Sequence, residues 1–495
     1  MNELNLIPAS AEIFLAIAIM AVLVAGLFVH EDSQPVSHRL SLLAIVVTGY
    51  IAMSGFGAAG SSYAFNQMFV NDPMAMLLKL FACTATFITL IYSRQYVLIR
   101  GMLGGSLSGE FYVLALLTLL GQMIMISGNS FLIIYLGMEL MSLSLYALVA
   151  LRRDNPISTE AAMKYFVLGA LASGFMLYGM SMVYGATGSL NLTQVAVAIA
   201  SGTASKTVLV LGLVFMVSGL AFKLGAAPFH MWAPDVYQGA PTSVTLLLGA
   251  APKLAAFAIC MRLLVEGLGA LAGDWQQMLV VMSVASLVIG NITALAQTNI
   301  KRMLAYSTIS QMGFMLLGLA SGVFAGSTAE ATASAYSASM FYTVTYVLTT
   351  LGCFATVMLL SRQGFEAEQL DDFKGLNQRS PWFAAMMMLL MLSLAGVPPM
   401  AGFYAKISVL QAALDAGQVA LVIFAVTMSL IGAFYYLRVI KLMYFDDAID
   451  TAPISVPKDM QIVLSINGAA TLVLGLLPSP LMSACLHAIT QALAS

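Results

Sequence analysis

Charge is what this sequence has least of: Asp, Glu, Lys and Arg make up 8% of its 495 residues, against 60% for hydrophobic residues. A soluble domain usually carries about 25% charged residues, so a water-soluble globular chain is excluded. Cysteine is scarce too. Cys83, Cys260, Cys353 and Cys485 stand singly in apolar runs. Without a C-x-x-C pair or a Cys/His cluster, neither a disulfide frame nor a metal site is indicated. A net charge of -2 excludes the basic surface that nucleic acid requires. No nucleotide-binding glycine loop is present. Long polar stretches are missing as well. The longest polar connections, 361–380 and 446–459, are too short for an extramembrane domain, so catalysis on a soluble substrate has no obvious home. The N-terminus lacks a basic stretch, and the apolar run from Ile13 to Val29 reads as an uncleaved first helix. The 34 methionines, Met386, Met387 and Met388 among them, read as packing filler.

What is there is a succession of apolar runs. A spanning helix needs about 20 mostly apolar residues. Runs at 10–29, 38–58, 73–93, 111–127, 129–151, 160–186, 205–228, 241–265, 275–297, 302–321, 335–360, 381–411, 417–440 and 460–484 predict about fourteen spans in one all-α polytopic membrane domain over 1–495. Cytoplasmic connections are rich in Lys and Arg. With the N-terminus outside, the inner connections hold Arg39, Arg94, Arg100, Arg152, Arg153, Lys301, Arg302, Arg362, Lys374, Arg379, Arg438, Lys441 and Lys458, and the outer ends only Lys206 and Arg262. An even number of spans puts the C-terminus outside as well.

The remaining cations, Lys79, Lys164, Lys223, Lys253 and Lys406, all fall inside predicted spans, as does the carboxylate Glu139. A charge at the bilayer centre costs roughly 2.5–3.5 kcal/mol on insertion scales. Such groups are therefore neutral, or they meet partners and water inside the bundle. All five are Lys although Arg is just as frequent in the chain. Lysine gives up its proton when desolvated, whereas arginine stays charged. A proton carrier has to be lysine. Tyr135, Glu139, Ser142 and Tyr146 share one helix face. Ser307, Ser310 and Gln311 mark the tenth span, and Tyr342, Thr345, Tyr346 and Thr349 the eleventh. Such stripes either line hydrogen-bonded wires or glue helices together.

Two spans look broken. Pro228 follows Lys223 in FKLGAAPFH, and the pair Pro398-Pro399 precedes Lys406 in AGVPPMAGFYAK. Proline frees backbone carbonyls, and interrupted helices at matching places in two halves point to a transport path. Five spans separate them, which suits two inverted five-helix repeats: 111–265 (helices four to eight) and 275–440 (nine to thirteen). Residues 1–110 hold helices one to three, and 460–495 hold helix fourteen. Lys253 stands midway in the eighth span, between the two breaks. Lys164, near the start of helix six, either pairs with Glu139 or snorkels to the surface. Lys79 reads as structural. His230 either admits protons or is a hydrogen-bonded structural histidine.

The stretches 136–140 (LGMEL), 222–241 (FKLGAAPFHMWAPDVYQGAP), 299–313 (NIKRMLAYSTISQMG) and 394–406 resemble the antiporter-like subunits of respiratory complex I, over essentially the whole chain. The resemblance implies a proton-translocating NADH-quinone oxidoreductase, in a bacterial inner membrane, with other membrane-arm subunits as partners. It implies that Glu139, Lys223, Lys253 and Lys406 are relay residues with Lys164, and that this chain binds no cofactor itself. NADH, FMN, iron–sulfur clusters and quinone belong to partner subunits. Gln311 departs from the family, where a histidine is frequent, so a proton wire there needs water or Ser310. The alternative is a subunit of a multisubunit sodium/proton antiporter of the same ancestry.

Overall fold

The computed structural model describes residues 5–28, 35–56, 60–100, 102, 109–323, 328–362, 364–449, 454 and 456–494. Among these, 13 helices are long and apolar enough to cross a membrane. The first are α1 (Ser10–Phe28), α2 (Pro35–Met53), α3 (Pro73–Ile99), α4 (Glu110–Ser127), α5 (Phe131–Val149) and α6 (Pro156–Thr187). A hairpin of β1 (Ser62–Ala64) and β2 (Phe69–Asn71), which no alternation in the sequence announced, sits between α2 and α3. A short helix, α7 (Leu192–Ala200), follows α6.

The first break interrupts the seventh span. It separates α8 (Lys206–Leu224) from α9 (Trp232–Gly239). The predicted eighth span is also divided, into α10 (Thr242–Gly249) and α11 (Pro252–Cys260), with a π-helical turn at Met261–Gly267. Pro252 explains that second interruption, since it has no amide hydrogen to continue the helix of α10. The next spans are α12 (Ala272–Leu295), α13 (Ile300–Ser321) and α14 (Ala329–Leu360). After the short α15 (Leu376–Arg379), the twelfth span is again two pieces, α16 (Pro381–Ala395) and α17 (Ala401–Asp415). Each is too short alone to count among the spanning helices, and together they make the fourteenth span expected from the sequence. The chain continues with α18 (Val419–Phe445) and α19 (Lys458–Leu476). Past Pro478 comes a separate helix, α20 (Ser479–Leu493), which packs on α3 and α14, so the last predicted span ends earlier than 484.

Helix starts follow local chemistry. Asp72, Asn155, Asn299 and Thr328 each accept a backbone N–H of the first turn through the side chain. A cap of this kind contributes about 1 kcal/mol. The α10–α11 span, α13 and α14 are buried almost throughout, whereas α1, α18 and α19 are largely exposed. The middle of the molecule is thus built from the helices that carry Lys253, Gln311, Tyr342 and Tyr346.

The structure corrects the census of buried charge in two places. Lys164 is not in the interior. Its side chain is 44% exposed, and it pairs with Glu160 at 2.9 Å and Asp235 at 2.8 Å, not with Glu139. Arg262, read from sequence as an outer-end cation, is instead fully enclosed between Asp72 at 2.8 Å and Glu266 at 2.7 Å. The eighth span, with its π-helical turn, carries it below the surface. Lys79 joins α3 to α1 through an ion pair with Glu12 at 2.6 Å. Breaking one side of a buried pair typically costs about 3–5 kcal/mol, whereas replacing both partners with apolar residues is close to neutral. Lys79→Met is therefore expected to destabilise the detergent-purified protein by about that amount, and Lys79→Met with Glu12→Leu to regain most of it, read by thermal unfolding.

Candidate functional site

The site is assembled at the two helix breaks. At the first, α8 stops at Gly225, whose φ of 74° is in the left-handed region; at the second, α16 stops at Gly396, with φ 81°. Glycine takes this conformation without steric penalty. The last carbonyls of each half-helix are left without an amide from a next turn. In both places a lysine amine occupies them. Lys253 Nζ donates to the carbonyls of Lys223 at 3.2 Å and Leu224 at 2.8 Å. Lys406 Nζ donates to the carbonyls of Leu394 at 3.1 Å and Ala395 at 2.9 Å. In each half these are the two residues immediately before the left-handed glycine. Both amines lie at the negative end of a helix dipole, and both lie over an aromatic ring, Trp232 at 5.6 Å and Phe314 at 5.2 Å. Ser429 completes the second amine's set at 2.9 Å.

Lys223 differs. It belongs to the broken helix itself, and its amine donates to Ser142 Oγ at 2.7 Å. Glu139 lies on the same face of α5, three residues earlier, near enough for its charge to act on Lys223, though no ion pair within 4.0 Å joins them among the described residues. Glu139 Oε1 is buried and makes no hydrogen bond. Tyr135, half-buried, lies one turn from Glu139 on α5. Trp232 Nε1 donates to Phe222 O at 2.9 Å, fastening α9 to the end of α8. Tyr165 stacks on Trp232 at 4.7 Å and meets Tyr146 edge-on at 4.6 Å, so an aromatic wall screens the first amine pair.

Between Lys253 and Lys406 lie two hydrogen-bonded groups, one of Tyr346 and Thr308 and one of Gln311, Tyr342, Tyr436 and Ser307. Tyr346 donates to Gly249 O at 3.2 Å, just before Lys253, and to Thr308 Oγ1 at 2.8 Å. Gln311 donates to Leu394 O at 3.1 Å, an acceptor it shares with Lys406, and to Tyr436 OH at 3.0 Å. The hydroxyl of Tyr342 donates to Gln311 Oε1, and Tyr436 and Ser307 share a hydrogen bond. A small cavity lined by Gln311, Tyr346, Thr349 and Ser393 lies beside these groups. The position expected to hold a histidine is therefore a fully engaged amide.

Of the residues singled out from sequence, Glu139, Ser142 and Lys223 come together, and Lys253, Lys406 and Gln311 fall along one polar line. Ser310 is turned to α12, packed against Gly290. His230 is buried in the turn after the first break, 7% exposed. Lys164 stands apart at the surface, where Asp235 links it to Arg302 at 2.7 Å. Ser429, Tyr436 and Trp232 were missed. Ser429 sits in an apolar run with nothing to distinguish it, while Trp232 lay inside the quoted 222–241 stretch.

A side chain in the left-handed region costs roughly 1–2 kcal/mol. Gly396→Ala adds a clash, because its Cβ would lie 2.8 Å from Lys406 Cδ, whereas at Gly225 the nearest atom is Lys253 Nζ at 3.8 Å. Gly396→Ala is thus expected to lower the thermal unfolding midpoint more than Gly225→Ala.

The family model described as "NADH:quinone oxidoreductase/Mrp antiporter, TM" matches residues 128–432. The chain is 65% identical over 495 residues to NADH-quinone oxidoreductase subunit N of Herminiimonas arsenicoxydans, covering 100% of both. It is 56% identical to subunit N of Cupriavidus taiwanensis, covering 99% of each chain. Among solved structures, it matches a chain of respiratory complex I from Thermus thermophilus with bound aureothin at TM-score 0.79 and 31% identity, covering 96% of this chain and 98% of that one. It matches a chain of the Mrp complex from Dietzia sp. DQ12-45-1b at TM-score 0.79 and 21% identity, covering 98% and 97%, a likeness of fold alone. The chain belongs to the NADH:quinone oxidoreductase/Mrp antiporter family of membrane subunits.

Proposed function

We propose that this chain is a proton-translocating membrane-arm subunit of NADH-quinone oxidoreductase, working beside the other membrane-arm subunits and driven by quinone reduction elsewhere in the complex. The observation that carries the reading is the repeated amine site. Lys253 and Lys406 each occupy the same pair of carbonyls at a helix break, held by neutral acceptors with no carboxylate partner among the described residues. An amine so placed keeps its hydrogen-bond acceptors whether it is charged or neutral, so its proton can come and go.

In this reading Glu139 favours the charged form of Lys223. At an effective dielectric of 20, two unit charges interact by about 4 kcal/mol at 4 Å and by less at the longer separation of this pair. Weakening that interaction releases the Lys223 proton toward Lys253, whose amine already lies on the Lys223 carbonyl. Tyr346, Thr308, Tyr342 and Tyr436 then lead toward Lys406. Gln311 cannot take up and release a proton as histidine would. It serves to orient the hydroxyls of Tyr342 and Tyr436 on either side. His230 and the Lys164–Asp235–Arg302 chain lie in and beside the turn that follows the first break, where protons would enter. The repeats would span 111–265 and 275–440, with 1–110 and 460–495 flanking them. The cation-rich connections suit a bacterial inner membrane with both termini on the non-cytoplasmic side. NADH, FMN, iron–sulfur clusters and quinone would reside in partner subunits.

A sodium/proton antiporter subunit is the second reading, supported by the family description shared with Mrp antiporters and by the fold of the Mrp complex. Lys223→Ala in the assembled complex, reconstituted in vesicles, is expected to lower NADH-driven proton pumping about a hundredfold or more, the scale of losing one proton-transfer group. Pumping at the wild-type rate would sink the relay role of Lys223. Pumping that required sodium would favour the second reading.

A further inference from the structure

The relay leaves one buried charged cluster unused. Arg262, 1% exposed, lies between Asp72, the N-cap of α3, and Glu266 on its own π-helical turn. One guanidinium facing two carboxylates leaves a negative charge unmatched, and burial of an unmatched charge is costly. A proton on one carboxyl removes it. Glu266 is the carboxyl with an outlet. Together with Arg262, Asn129 and Tyr63 it lines a cavity of about 260 Å³ at the hairpin end of the bundle.

The cluster also reaches inward. Arg262 Nε donates to Ile126 O on α4 at 3.3 Å. One turn earlier on the same face of α4 is Gln122. It is fully buried, and neither atom of its amide has a hydrogen-bond partner among the described residues. Ser127 Oγ, Ser130 Oγ and Arg262 Nη2 are likewise buried and without hydrogen-bond partners. Buried polar atoms without protein partners are rare and are the places where bound water sits. Another turn inward is Thr118, also buried. α4 packs along α11, and both helices run toward the hairpin end. α11 carries Lys253 nine residues before Arg262. Thr118, Gln122 and Ile126 are spaced along α4 over about the same length that separates Lys253 from Arg262 along the neighbouring span.

We infer that Gln122 and the Asp72–Arg262–Glu266 cluster form a proton outlet from Lys253 to the hairpin side of the membrane, with Glu266 as the releasing carboxyl. The inference rests on the proton-translocating reading and adds a route to it. The Lys253 ammonium gives its proton to water held at Gln122 and becomes a neutral amine. The proton passes to the Glu266 carboxylate, which becomes a carboxylic acid and balances the cluster. It then leaves for water in the cavity, and the carboxylate is restored. No electrons move and no other bond changes. The groups facing Glu266 are Arg262 on its own turn, Asp72 at the start of α3 and Tyr63 of β1. The cavity walls from α7 and α20 carry no titratable side chain.

The test is proton pumping by the assembled complex in vesicles, with the pH on the hairpin side varied. Glu266→Gln is expected to lower pumping about a hundredfold or more, the scale of losing a proton-transfer group, and Gln122→Leu to lower it measurably. Glu266→Gln is further expected to flatten the dependence on hairpin-side pH, and Glu266→Asp to restore it. A merely structural cluster would not move that pH profile. Wild-type pumping and pH dependence in both Gln122→Leu and Glu266→Gln overturn the outlet. If Glu266→Gln fails to assemble, Gln122→Leu carries the test alone, since it replaces an unpartnered amide by an apolar group of similar size. Lys223→Ala, run in parallel, separates the two failures. If it pumps normally, the relay reading falls. If it alone is defective, only the outlet falls.

Discussion

The arrangement depends on backbone carbonyls that a broken helix cannot satisfy for itself. In a bilayer an unmet carbonyl is costly, and so is an unmet ammonium. At Gly225 and again at Gly396 the two deficits cancel, because a lysine amine is placed on the last carbonyls before the left-handed glycine. The rest of the core supports that placement. Trp232 fastens one half-helix to the next, Ser429 completes the second amine's set, and the densely buried α13 and α14 bring the hydroxyl groups between the two.

A second distinction separates the buried cations by partner. Lys79, Arg262 and Lys301 are each in contact with a carboxylate, Glu12, Asp72 with Glu266, and Glu368 respectively. Among the described residues, the hydrogen bonds of the Lys223, Lys253 and Lys406 amines go to hydroxyl and carbonyl oxygens. A full counter-charge pins a proton in place, whereas neutral acceptors leave an amine free to exist in both forms. The chemistry of the partner therefore divides these cations where burial alone does not. The division also accounts for Glu139, which stays close to Lys223 without closing an ion pair on it.

Much of the fold was legible along the chain. Apolar runs of bilayer length predicted fourteen spans, and proline beside lysine marked both breaks. What was misread involved residues whose surroundings lie far off in sequence. Lys164 sits inside an apolar run but on its outer face, so run length could not tell it from Lys223. Arg262 stands at the end of a run, but Asp72 and Glu266 draw it inside. The interruption at Gly249–Pro252 was visible as a proline, yet it was read as a continuous helix because the flanking residues remain apolar.

The sequence by itself determined that this is a many-span membrane protein and where two of its helices break, beside Lys223 and Lys406, because hydropathy and proline act locally on the backbone. Tertiary structure alone decided which oxygens each amine meets. It put Lys253 on carbonyls 30 and 29 residues away and Lys406 on carbonyls 12 and 11 residues away, in the same register at both breaks. The reason is physical. A hydrogen bond across helices depends on how whole helices pack, and no local pattern of residues encodes that.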